Sequence, residues 1–140
     1  MTKLRPALTY ILIFIFCCTS CGLLDKSYHE KIIGNYEIEW VDLEGNQNIS
    51  KAIDGCSGCY SVIIDNYVYA VGHNQDFIIA KQHAGTDKNI THYYIINLTQ
   101  NKDKYRDGVT GPVMKEVFDS LRRRLNISDI PFNKTYTENP

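Results

Sequence analysis

The sequence predicts an α+β domain: an antiparallel meander of about five strands with one C-terminal amphipathic helix packed on it. Three observations carry this expectation. Between Tyr36 and Asn97 the chain returns again and again to short runs of β-branched and aromatic residues, set apart by Gly, Asn and Asp, which is the punctuation of strands and turns. Beyond Pro112 the apolar period lengthens from two to nearly four, as a helix requires. Each element has a single apolar side, and a sheet and a helix can hide those sides against each other.

The first strand is expected where Tyr36, Ile38 and Trp40 alternate with Glu37 and Glu39, a period of two that marks a half-buried strand. Trp40, the only tryptophan, then points inward as core. Glu44-Gly45-Asn46 reads as a turn, and the loop continues through Asp54-Gly55-Cys56-Ser57-Gly58-Cys59. Tyr60–Ile64 and Tyr67–Val71 are β-rich runs joined by Asp65-Asn66, either as a turn or as one bent strand. Gly72-His73-Asn74-Gln75 implies a hairpin leading into Asp76–Gln82. A polar loop, 83–91, precedes the last expected strand, Tyr93–Asn97.

Pro112 suits the first turn of a helix, where its missing N–H is not needed. Val113, Val117, Leu121 and Leu125 then recur every fourth residue, and Met114 and Phe118 widen the stripe,. Arg122, Arg123 and Arg124 complement the carbonyl end of the helix dipole. Asn126 is a stop residue, Ile127 folds back on the last turn, and Pro131 prevents continuation.

The N-terminus addresses the chain to a membrane. Lys3 and Arg5 precede an apolar run from Ala7 to Cys18 that ends in Thr19-Ser20-Cys21. The order is that of a secretory leader, and the run is shorter than the roughly 20 residues a spanning helix needs. With a small residue before Cys21, the segment resembles a bacterial lipoprotein signal. That resemblance implies removal of 1–20 and attachment of diacylglycerol to Cys21. An ordinary secreted protein or an uncleaved anchor are the alternatives. On this reading 21–34 is a tether, 35–130 one domain and 131–140 a frayed tail. The stretch from Asp65 through Phe77-Ile78-Ile79-Ala80-Lys81-Gln82 to Asn97, followed by Gly111-Pro112 and the helix ending at Leu125-Asn126-Ile127, also resembles small uncharacterised bacterial lipoproteins. This second resemblance implies an architecture and no mechanism.

The formal net charge is −1 and becomes more negative once Lys3 and Arg5 leave with the leader. Nothing in this charge balance suggests a nucleic-acid partner, which calls for a concentrated basic surface. Of five cysteines, only Cys56 and Cys59 remain as thiols in the mature domain, and an exported pair closes as a disulfide. A thioredoxin-like site would need a helix opening at the first Cys to lower its pKa, whereas Tyr60–Ile64 reads as strand. His73, His83 and His92 lack the spacing of zinc motifs. Asp65, Asp76 and His73 form an acid–base group only if the fold gathers them. Tyr67, Tyr69, Tyr93 and Tyr94 form a binding face only if several share one side of the sheet. No phosphate loop, nucleophile elbow or cofactor motif occurs. The leading expectation is a non-catalytic, lipid-anchored module of the bacterial envelope that contacts an envelope protein or a small ligand. A thiol–disulfide protein using Cys56 and Cys59, or a structural envelope component, are the rivals.

Overall fold

The computed structural model describes residues 27–41, 45–85, 87–100 and 107–136. Cys21 and the expected leader lie outside them. The strands are β1 (Ser27–Ile33), β2 (Tyr36–Val41), β3 (Asn48–Ala52), β4 (Tyr60–Ile64), β5 (Val68–His73), β6 (Phe77–Ala84), β7 (Asp87–Asn97), β8 (Val109–Val113) and β9 (Lys134–Thr135), with a single helix, α1 (Lys115–Arg124), among the described residues. They form two antiparallel sheets, ordered β1-β2-β3-β4 and β8-β7-β6-β5-β9. The expected α+β class is thereby corrected. The domain is mostly β, built from two sheets in place of one five-stranded meander, with one helix of ten residues.

The layering follows from side-chain alternation. Ile38, Ile49 and Ile64 of the first sheet meet Val71, Ile78 and Ile96 of the second in one buried cluster. Successive residues of a strand point to opposite faces, so Ile79 and Ile95 emerge on the far side of the second sheet. There Phe118, Ile127 and Ile130 cover them. The consecutive apolar runs Ile78-Ile79-Ala80 and Tyr94-Ile95-Ile96 are thus buried on both faces, as expected of strands in a middle layer. The order of layers is sheet, sheet, helix.

Several expected boundaries shift. Ser27–Ile33, assigned to the tether, is strand β1, with Tyr28 opposite Trp40 and Glu30 opposite Ile38. The expected loop 83–91 is largely strand, with His83 opposite Thr91. Asp65-Asn66 lies where the chain leaves the first sheet for the second, and Tyr67 turns there with φ 70°. The helix begins at Lys115, while Pro112 and Val113 belong to β8 and Val113 pairs with Tyr93. The apolar stripe is real, but its inward side is Phe118 with Leu121; Val117 is 50% exposed.

The helix stop agrees with its residues. Asn126 adopts φ 56° and the Ile127 N–H donates to the Arg122 carbonyl at 2.9 Å, a Schellman-type closure. The Arg122 guanidinium donates to the carbonyls of Ile127, Ser128 and Ile130, which fixes the chain that follows. That chain is no frayed tail as far as Tyr136. Phe132 lies under the Lys81 ammonium at 4.4 Å, and Lys134 and Thr135 pair with Val71 and Ala70.

Candidate functional site

Each sheet of such a stack leaves its outer strands exposed, and the two ends of this stack are finished differently. At one end β1 and β9 are drawn together. The Lys134 ammonium donates to Glu30 Oε1, and the Tyr28 hydroxyl donates to Glu30 Oε2 at 2.6 Å. Lys134 foremost, then Tyr28, hold the Glu30 carboxyl below the ordinary glutamate range.

At the other end, where β4 and β8 are the outer strands, a cleft of about 330 Å³ opens, lined by Ile63, Ile64, Asp65, Gln82, Tyr94, Val109, Gly111 and Pro112. Its floor is polar and locked. Gln82 is 8% exposed; its side-chain amide donates to the carbonyls of Asp65 and Asn66 at 2.8 and 2.9 Å. The Tyr94 hydroxyl donates to Gln82 Oε1 at 2.7 Å. A buried amide must find such partners or carry a desolvation penalty, so these bonds also hold the crossover between the sheets. The β8 wall depends on Gly111. Its φ is 140° and a Cβ there would stand 2.5 Å from Tyr94 Cδ1 and 2.8 Å from the Tyr93 carbonyl oxygen. The peptide bond that follows, to Pro112, is cis.

Ile63, Ile64, Val109 and Pro112 supply aliphatic groups, yet the surface the cleft presents is at least as polar as apolar, and Asp65 is the one carboxylate in the lining. The volume is at the small end of ligand clefts. This arrangement is a small, partly open cleft that sets aliphatic side chains beside a fixed polar floor.

The residues singled out by the sequence are dispersed around this cleft. Cys56 and Cys59 are joined by a disulfide in the turn between β3 and β4, with Cα atoms 5.4 Å apart. The turn is closed by Ile53 N–H donating to the Cys59 carbonyl at 2.9 Å. The pair leads into β4 and not into a helix, so the dipole that makes a thioredoxin-like cysteine reactive is missing. His83 stacks on Tyr69 with ring centroids 4.1 Å apart, while His92 sits opposite Gln82 on the other face of the sheet. Among the described residues no group of three or more His, Cys, Asp or Glu is placed to hold a metal ion. Asp65 precedes β5, whereas His73 and Asp76 lie at its far end, so the three do not assemble.

The tyrosines do not form one face either. Tyr69 bonds with Thr91 through their hydroxyls at 2.9 Å, Tyr93 packs on Phe118 at 4.8 Å, and only Tyr94 enters the cleft. Trp40 is half-buried and lies nearly parallel to Tyr28, centroids 6.3 Å apart. Burial pushes the Tyr36 phenol up to about 12, so it stays protonated at neutral pH. Sequence reasoning missed Gln82 and Gly111. The one available signal was a glutamine closing an otherwise apolar strand run; Gly111-Pro112 read as a helix start.

Among the described residues, fold and cleft define an antiparallel two-sheet β protein with a single covering helix. Residues 33–136 match the model of a family described as protein of unknown function (DUF3997), and the chain belongs to that family. No curated protein and no solved structure matches it significantly.

Proposed function

We propose that this protein is a lipid-anchored, non-catalytic binding module of the bacterial envelope, held at the membrane through Cys21 and taking a small ligand group with both polar and apolar edges into the cleft between β4 and β8. The observation that carries the reading is the cleft itself, with aliphatic and polar lining groups over a floor whose amide and phenol are already hydrogen-bonded to each other. Such a floor gives orientation through donors and acceptors that are already fixed. The dispersal of the histidines, cysteines and acidic residues supports the same view. The apolar leader ending at Ser20-Cys21 supports the anchor.

The test is a fragment screen by protein-observed NMR, comparing wild type with Val109→Phe, which narrows the cleft. Fragments carrying a compact ring are expected to shift the Gly111 amide and the Gln82 side-chain amide. Their affinity should fall about tenfold or more in the variant, roughly 1.4 kcal/mol. Binding that leaves both amides unmoved, or that Val109→Phe does not weaken, refutes the site. Mass spectrometry of the natural protein tests the anchor: the expected terminus is an acylated Cys21, and an unmodified or different terminus refutes it.

A further inference from the structure

We infer that the outer face of the first sheet carries a second site, built from Glu37, Glu39, Asn48 and Ser50 beneath the rings of His29 and Tyr60, which takes the ammonium head of a small primary amine. It lies apart from the cleft between β4 and β8 and does not rest on the reading given for that cleft.

The register assigns the side chains to this face. Ile38 and Ile49 stand opposite each other and enter the core between the sheets. The alternating residues, Glu37 opposite Ser50 and Glu39 opposite Asn48, therefore point the other way. His29 of β1 stands opposite Glu39. On β4, Val62 stands opposite Ser50, and Tyr60 shares its side of the strand,. Although β1 and β4 are the two outer strands of the sheet, the His29 and Tyr60 rings approach to 6.1 Å between centroids. Both side chains thus lean inward and roof β2 and β3.

The groups beneath that roof are hydrogen-bond acceptors in need of donors. Glu39 is 8% exposed and Ser50 is fully buried. Ser50 Oγ and Asn48 Oδ1 are buried with no hydrogen-bond partner among the described residues, a state that carries a desolvation cost. His29 Nδ1 lies 3.2 Å from Glu39 Oε2 and 3.8 Å from Glu37 Oε2, so one nitrogen already stands between the two carboxylates. Its imidazole is 44% exposed and can yield that place to a better donor. Lys31, the other cation on this face, stands opposite Glu37 and is exposed. An ammonium carries three N–H donors and no acceptor, which suits two carboxylates and a hydroxyl, and the Tyr60 ring favours a cation beside it. Because Ser50 Oγ has no bond to His29, the group lacks the nucleophile–base pair of a hydrolytic site. Nor, among the described residues, are these acids and His29 placed to hold a metal ion.

The experiment titrates the full chain, in its natural processed form, with n-butylammonium, tetramethylammonium or calcium chloride. NMR follows the side-chain carboxyl carbons of Glu37 and Glu39 and the Ser50 amide. n-Butylammonium is expected to shift all three saturably, whereas tetramethylammonium, which has the charge but no N–H, shifts none. Glu39→Gln and Ser50→Ala should each weaken the amine about tenfold, since each removes one hydrogen bond to a charged group. Asp129→Asn, an exposed carboxylate in the loop after α1, should leave binding unchanged. Ser50→Ala deletes an unpaired hydroxyl from a buried position, so the β5–β7 amide spectrum is expected to stay that of the folded chain; the isosteric Glu39→Gln gives the same reading independently. No shift at millimolar amine overturns the site. So does an equal response to tetramethylammonium, which makes the face a diffuse acidic surface, or calcium producing the shifts in place of the amine. Wild-type affinity in either Glu39→Gln or Ser50→Ala overturns it as well.

Discussion

Phe118→Ala and Val117→Ala are neighbouring truncations on one helix, and the structure assigns them opposite consequences. Phe118 is 1% exposed, 4.8 Å from the Tyr93 ring and 6.1 Å from the Phe132 ring, with the Arg122 guanidinium 5.4 Å from its centroid. Burying a phenylalanine contributes about 1.5–3 kcal/mol, and favourable ring geometry adds about 0.5–1.5 kcal/mol. The void left by truncation lies between a sheet and a helix, neither of which can collapse fully. A loss of about 4 kcal/mol is therefore expected. Val117 is 50% exposed, and its truncation should fall within about 0.5 kcal/mol of wild type. Urea unfolding followed by circular dichroism measures both. With a slope of about 2 kcal/mol/M, Phe118→Ala should lower the midpoint by about 2 M, and Val117→Ala should scarcely move it. Equal midpoints for the two variants, or a shift for Phe118→Ala under about 0.5 M, would refute the assignment of Phe118 to the core between helix and sheet.

Two further perturbations test how the C-terminal segment is held. Glu30 has a folded-state pKa below its ordinary value because Lys134 and Tyr28 favour the carboxylate; its stabilisation is then complete above the unfolded glutamate value and is lost as pH falls through the folded one. The stability gap between wild type and Glu30→Gln should be flat at neutral pH, close below about pH 4, and stay within about 1 kcal/mol because both partners are partly solvated. A gap that widens with acidification contradicts the ion pair. Gly72→Ala places a Cβ 1.9 Å from the Pro131 carbonyl oxygen, so the backbone over β5 has to move, at about 1–3 kcal/mol. Hydrogen exchange of the Tyr136 amide, bonded to the Tyr69 carbonyl, should accelerate while the β6–β7 amides keep their protection; unchanged exchange at Tyr136 would count against the close crossing.

Several features were legible because they depend on neighbours in the chain. The strand beginning at Tyr36 shows in its alternation, the β5–β6 hairpin in Gly72-His73-Asn74-Gln75, and the end of the helix in Asn126-Ile127. Legibility failed wherever an element is held by something distant. β1 is short on apolar residues, and it forms because β2 and Lys134 receive it. β9 has two residues and exists only against β5. Val113 fits a helical period as well as a strand, and pairing with Tyr93 decides for the strand.

The residues alone therefore determined where turns fall, where the helix stops, and that apolar runs such as Ile78-Ile79-Ala80 must be hidden. Only the tertiary structure decided how many layers hide them, because a run apolar on both sides reports that both faces are buried and not what buries each. The cleft has the same origin. Gln82, Tyr94 and Gly111 come from three strands, and they came to line one cleft when β8 settled against β7 and the crossover after β4 brought the Asp65 and Asn66 carbonyls to the Gln82 amide.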